Sequence, residues 1–180
     1  MGSANNNKWS ETAMLVIDMQ KEFVDPAMSS PAFLAGGEKI IPAVAEAVEL
    51  ARKRGIFVVW VVREHDPDGR DVELFRRHLY SGGKGPAMKG SKGAEMADGL
   101  VVKEEDYKVV KTRFSSFFAT NLDSVLKTSG IKNLVVGFRH QIVSGRLSLM
   151  PSHWTMRKLR LLLMQRLVLI KKSICQTSET

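Results

Sequence analysis

Glu38–Val62, EKIIPAVAEAVELARKRGIFVVWVV, changes its apolar period at Gly55. Before the glycine, Ile40, Ile41, Val44, Val48 and Leu50 fall at helical spacing, and Gly55 itself is a stop signal. After it, Ile56–Val62 is β-branched, aromatic and apolar on both faces, which predicts a strand buried on both sides. Upstream, Thr12–Ile17 (TAMLVI) is a second apolar run, and it ends at Asp18. Strand, helix and strand joined by short connections form a βαβ unit, so the two strands are predicted to be parallel. Downstream the spacing predicts a short helix over Asp71–Tyr80 and a mobile Gly- and Lys-rich surface loop over Ser81–Gly93. It then predicts a strand over Tyr107–Val110, a helix over Ser115–Ser129 ended by Gly130, and a strand over Lys132–Gly137. Such alternation predicts an α/β fold with three α/β/α layers around a parallel sheet.

The rhythm fails after Gly137. No strand of the earlier kind is evident in Phe138–Trp154, and Met156–Lys172 predicts a basic, apolar-rich helix. The sheet is therefore expected to be incomplete at its C-terminal side. The chain divides into a polar tail (1–11), an α/β domain (12–138) and a basic, divergent tail (139–180).

The charge follows the same division. The net charge is +8. From Arg139 onward there are eight Lys or Arg and one acid, Glu179, so +7 of it lies in the tail and residues 1–138 are nearly neutral. A nucleic-acid partner would have to be read from the tail alone, which has little aromatic content for stacking beyond Trp154. Cys175 is the only cysteine, which excludes an intrachain disulfide and a cysteine-rich metal site. Met1–Glu11 has no apolar run, and Leu159–Ile170 is short and broken by Arg160 and Arg166. The expectation is a cytoplasmic protein with no membrane contact. A homo-oligomer is compatible with the sequence.

In a parallel sheet, ligands sit beyond the C-terminal ends of the strands. Asp18 is at such an end, and Lys111 follows Tyr107–Val110, so a carboxylate and an ammonium are candidates for one pocket. Taken singly, a strand-end Asp is more often a turn or cap residue, and a lone Lys is usually solvated.

The local strings go further. LVIDMQKEFVD (Leu15–Asp25), VVKTRFSSFFATNL (Val109–Leu122) and NLVVG (Asn133–Gly137) stand in order at compatible spacing. They resemble the opening strand, the lysine motif and the strand leading to the nucleophile in the isochorismatase-like cysteine hydrolases, which include nicotinamidases. WVVREHDPDGRDVELFRRH (Trp60–His78) looks like a branch found in plants and some microbes. The resemblance covers about Thr12–Gly137 and implies a Rossmann-like sheet, a small-molecule substrate and an Asp–Lys–Cys catalytic set. By the match, Asp18 is the proton acceptor and donor, and Lys111 favours the thiolate, which is the real nucleophile. Attack on an amide carbonyl gives a thioester that water cleaves. Isochorismatase members cleave a vinyl ether instead, where the cysteine is not always needed. Phe23 resembles a pocket-wall aromatic, and ordinary core packing explains it equally well. Metal-binding nicotinamidases place Asp-x-His after the second strand. Here that place reads Arg63-Glu64-His65-Asp66, so neither metal nor any other cofactor is expected.

The resemblance stops at the nucleophile. The family pattern Gly–apolar–x–Thr–x–x–Cys meets Gly137-Phe138-Arg139-His140-Gln141-Ile142-Val143, with neither Thr nor Cys. Reading the tail one base out of frame gives an explanation. Codons straddling Phe138–Val143 allow Gln-Thr-Pro-Asn-Cys. Some straddling codons leave no choice of residue: Met150–Pro151 must hide Ala, His153–Trp154 Leu, and Trp154–Thr155 Asp. With their neighbours these allow Phe-Asp-Ala-Val-Ala-Leu-Asp-Tyr, which resembles the helix after the family cysteine. A frameshift, or a splice junction with the same effect, is the expectation; an unrelated functional tail is the alternative.

Three functions remain in view. The first is a hydrolase domain impaired by the missing cysteine. The second is an inactive protein that binds small molecules or subunits. The third is a basic-tail protein binding nucleic acid or anionic membrane, which a salt-sensitive, tail-dependent interaction would reveal.

Overall fold

The computed structural model describes residues 7–137 and the backbone of 158–162. Five strands form one parallel sheet: β1 (Thr12–Ile17), β2 (Phe57–Arg63), β3 (Tyr107–Lys111), β4 (Asn133–Gly137) and β5 (Lys158–Leu162). Their spatial order is β3-β2-β1-β4-β5. β1 lies at the centre, pairing Ala13 with Phe57 on one side and with Leu134 on the other. The chain thus winds outward from β1 in one direction and then in the other. That reversal leaves a crevice at the carboxyl ends of β1 and β4.

Helix α3 (Ile41–Lys53) carries the first crossover. Pro42 sits in its first turn, where a missing N–H costs nothing. Gly55, at φ +68°, supplies the left-handed turn that releases the chain into β2. Val44, Val48 and Ala51 pack with Met14, Val16, Val58 and Trp60 on one face of the sheet. On the opposite face, helix α4 (Leu122–Thr128) lays Leu122 and Leu126 on Leu15, Val59, Val61 and Val136. Two apolar layers around one sheet are the expected three-layer architecture. Sealing an aliphatic side chain this way contributes roughly 1.5–3 kcal/mol.

A polar hub ties the first core layer down. Asp106 accepts from Trp60 Nε1 at 2.8 Å and from the Lys103 backbone N–H at 3.0 Å, and it pairs with Arg52 from α3. Burial works to raise the Asp106 carboxyl, but these donors together hold it below the ordinary carboxylate range.

Several expectations are corrected. The helix over Ser115–Ser129 shrinks to Leu122–Thr128. Upstream, Ser115 Oγ accepts from the Phe117 N–H, Thr120 Oγ1 donates to the Ser116 carbonyl, and Ala119 is left-handed at φ 53°. Ser and Thr side chains that bond the local backbone compete with helix in this way. Asp71–Tyr80 yields a 3-10 run over Leu74–Tyr80. The segment expected as a mobile loop is packed at its middle: Ala87 is buried, and Tyr80 Oη donates to the Pro86 carbonyl at 2.7 Å.

At the N-terminal end, α1 (Asn7–Ser10) docks Trp9 against the core beneath Arg54, so not all of residues 1–11 is a tail. Lys158–Leu162 is a strand and not part of a helix. A Leu-rich run has no decisive period, and pairing with β4 satisfies its backbone. The remainder of Met156–Lys172, the segment Phe138–Trp154 and Cys175 lie outside the described residues. No helix among the described residues is long and apolar enough to cross a membrane.

Candidate active site

Asp18 directly follows β1 at the crevice. Its φ of 57° is left-handed, a conformation that costs energy for a residue with a Cβ and that Asp tolerates better than most. Its backbone N–H bonds the Val61 carbonyl at 3.0 Å, which holds the kink in place. Lys111 is the last residue of β3. Its Nζ lies 3.2 Å from Asp18 Oδ2 and 3.4 Å from the Phe114 carbonyl oxygen. Lys111 is only 3% exposed and Asp18 18%, so each charge needs the other. Strand β2, which lies between β1 and β3, is bridged by this pair. Phe23, on the short helix α2 (Lys21–Val24), is buried in the first core layer with Met19, Val24 and Trp60.

Arg63, at the end of β2, stands opposite Lys111 in register. Its Nη2 donates to the Arg113 carbonyl at 3.1 Å, and its guanidinium lies 5.2 Å from the centre of the Phe114 ring. Burial pushes the Arg63 guanidinium down, opposed first by the attraction of Asp18. Gln20 fixes the Arg63 backbone, accepting from its N–H and donating to its carbonyl, each at 2.7 Å. The sequence reading missed both Gln20 and Arg63. Arg63 carried the same signal as Asp18, a charge ending an apolar strand.

His65 is buried, with Nδ1 3.2 Å from Asp71 Oδ1 and its ring edge-on to Tyr80. Among the described residues no group of three His, Cys, Asp or Glu side chains has the arrangement to hold a metal. Burial lowers the His65 imidazole below its ordinary 6.5, and Arg63 adds to that. The folded state therefore favours neutral His65. Unfolding releases it to bind a proton once the pH falls below 6.5, so stability is full above that pH and declines below it. Between about pH 6.5 and 5 the melting temperature should fall, and His65→Gln should flatten that slope. A wild-type melting temperature that is level across this window would contradict the burial of a neutral imidazole.

The family model described as an isochorismatase domain matches residues 12–138. A protein of Arabidopsis thaliana named "Probable inactive nicotinamidase" is 59% identical over 131 residues, covering 72% of this chain and 66% of its own length. A ureidoacrylate amidohydrolase of Azorhizobium caulinodans is 33% identical over 141 residues, covering 69% of this chain and 62% of its own length. The crystal structure of an isochorismatase family protein from Desulfovibrio vulgaris superposes with a TM-score of 0.66 at 39% identity, covering 69% of this chain and 64% of that one. The matched region thus spans just under two-thirds of these relatives.

Proposed function

Since this chain belongs to the isochorismatase family, we propose that it is a hydrolase domain whose site is built for a small amide or vinyl ether and whose turnover is impaired by the missing nucleophile. The observation that carries the reading is the Asp18–Lys111 pair, 3.2 Å apart at the reversal point of the sheet. A carboxylate there can take a proton from a nucleophile and return it to a leaving group, and an ammonium beside it can stabilise an anion. The third member would follow β4, where Phe138–Val143 offers no thiol. Without a thiolate no thioester forms, so amide cleavage loses its main route. Protonation of a vinyl ether by Asp18, with water completing the cleavage, bypasses the thioester. Phe23 is assigned as an aromatic support for the pocket wall.

The same reading places the protein in the cytoplasm, acting on a small molecule and not on nucleic acid or a membrane. The near-neutral charge of residues 1–138 supports this. Residues 12–138 form the hydrolase domain, with α1 and β5 added at its ends.

The missing cysteine is best explained by a one-base shift in reading frame after Gly137. β5, formed by Lys158–Leu162 as they stand, counts instead toward an unrelated functional tail, but the codons downstream remain compatible with a shift. Read one base out of frame, the codons spanning Lys158–Gln165 allow Val-Thr-Val-Ile-Val-Asp-Ala. The final Ala is forced by Met164–Gln165, and the residue before it is restricted to Asp, Asn, His or Tyr. A β-branched run is thus available to the shifted frame over the same stretch.

The test is turnover of isochorismate by the purified chain beside an Asp18→Ala control. Slow hydrolysis that vanishes in the variant is expected. Equal rates in both proteins would remove Asp18 from the chemistry and sink the reading.

A further inference from the structure

We propose that β3 is the seam of a homodimer, in which two copies of this chain pair their β3 strands antiparallel and join their sheets into one. The proposal does not depend on turnover and adds a partner surface to the reading above.

Three observations carry it. The first is where apolar surface is left open. Among the described residues, five large apolar side chains are 44% to 78% exposed: Leu74, Phe75, Val101, Val110 and Phe118. All five belong to β3 or to segments joined to its ends. Val110 is in the strand itself. Val101 leads into the turn just before it, which the Asp106 N–H closes on the Lys103 carbonyl. Phe118 lies in the irregular segment after it, which is tied back where Asn121 donates to Tyr107 Oη at 2.7 Å. Leu74 and Phe75 open the 3-10 run. That run is held at the carboxyl end of β3, where Arg113 donates to the Asp71 carbonyl and Arg76 lies 5.5 Å from the centre of the Phe114 ring. Single exposed apolar residues are ordinary, but five gathered round one strand mark a contact surface.

The second observation is the strand itself. β3 is the outer strand on its side of the sheet, and among the described residues β2 is the only strand paired with it. Its other edge is therefore a template for one more strand. Soluble proteins commonly guard such an edge with charge. Here the exposed charge of β3, Lys108, is turned to Glu64 at 2.8 Å. Val110, two residues on and so on the same face, stays open beside it.

The third observation is charge, and it selects a second copy as the occupant. The amino end of β3 carries exposed Glu104 and Glu105 near Val101, and the carboxyl end carries exposed Arg77 near Leu74 and Phe75. Two further exposed cations of these segments, Lys103 and Arg70, are already paired with Glu49 and Asp68. Antiparallel pairing about a two-fold axis lays the amino end of one β3 along the carboxyl end of the other. Acid then meets base, and apolar meets apolar, twice over. Centred on Val109, the pairing sets Lys108 against the partner's Val110 and Tyr107 against the partner's Lys111, so no like charges stand directly opposed. The seam also braces the site, because the segment it covers supplies the Phe114 carbonyl 3.4 Å from Lys111 Nζ.

The experiment is sedimentation equilibrium of the purified full chain. One chain is 20.1 kDa, and twice that mass is expected at micromolar concentration. Val110→Lys sets an ammonium against the partner's Lys108 and should weaken self-association about tenfold or more. Phe75→Asp should weaken it as well. Arg77→Glu should weaken it, and adding Glu104→Arg and Glu105→Arg to that chain should restore it, which reads out the antiparallel order. Lys53→Glu, on the exposed side of α3, should change nothing. Circular dichroism melts of each variant accompany the measurements. If Val110→Lys does not fold, the Arg77→Glu chain and its rescue decide. A single-chain mass throughout the micromolar range overturns the proposal. So does a stoichiometric complex with a different protein, or a dimer indifferent to both Val110→Lys and Arg77→Glu. Ammonia release plays no part in these readings, so a chain that dimerises through β3 but hydrolyses nothing would refute the hydrolase reading alone.

Discussion

Inserting one base after the Gly137 codon is expected to convert a chain with negligible amidase turnover into a thiol-dependent amidase. The insertion replaces Arg139–Val143 by Gln-Thr-Pro-Asn-Cys where the codons permit, and it rewrites all that follows. Removing the nucleophile from a catalytic unit leaves only what binding and electrostatics supply, a loss on the order of 10⁶-fold in kcat. Restoring it should recover much of that factor, because Asp18 and Lys111 already stand 3.2 Å apart at the crevice. Steady-state release of ammonia from small amides measures it. The restored activity should vanish on thiol alkylation and in Asp18→Ala. A restored chain that folds, carries the cysteine and remains inert would show that the Asp–Lys pair is not a prepared amidase site.

The second large effect concerns stability. Trp60→Ala should cost about 3–5 kcal/mol in urea unfolding. Trp60 is fully buried at the centre of the first core layer, and it also donates to Asp106. Trp60→Phe should cost less, about 1 kcal/mol for the lost bond plus a small void, because Asp106 keeps Arg52 and the Lys103 N–H. If alanine cost no more than phenylalanine, the packing of α3 on this face would not be what holds the layer together.

Much of this arrangement is visible in the chain before it folds. β1, β2 and β4 announce themselves as apolar runs, and the short connection through α3 fixes β1 and β2 as parallel. Asp18 and Lys111 are legible because each closes a strand, and strand ends are where ligands meet a parallel sheet. Residues 112–121 were not legible. Their composition allows a helix, and only local Ser and Thr bonds and the left-handed Ala119 divert it. Gln20 and Asp106 were hidden for a related reason: each does its work through partners more than forty residues away. β5 reads as a helix or a strand with equal ease, and the open edge of β4 decides it.

With Asp18 and Lys111 in place but no thiol directly after β4, the chain should not cleave amides. Amide turnover by the unaltered, purified chain, with and without thiol alkylation, tests it most directly. Ammonia release from nicotinamide and other small amides should be negligible and unchanged by alkylation. Robust hydrolysis abolished by alkylating Cys175 would contradict it and make Cys175 the nucleophile.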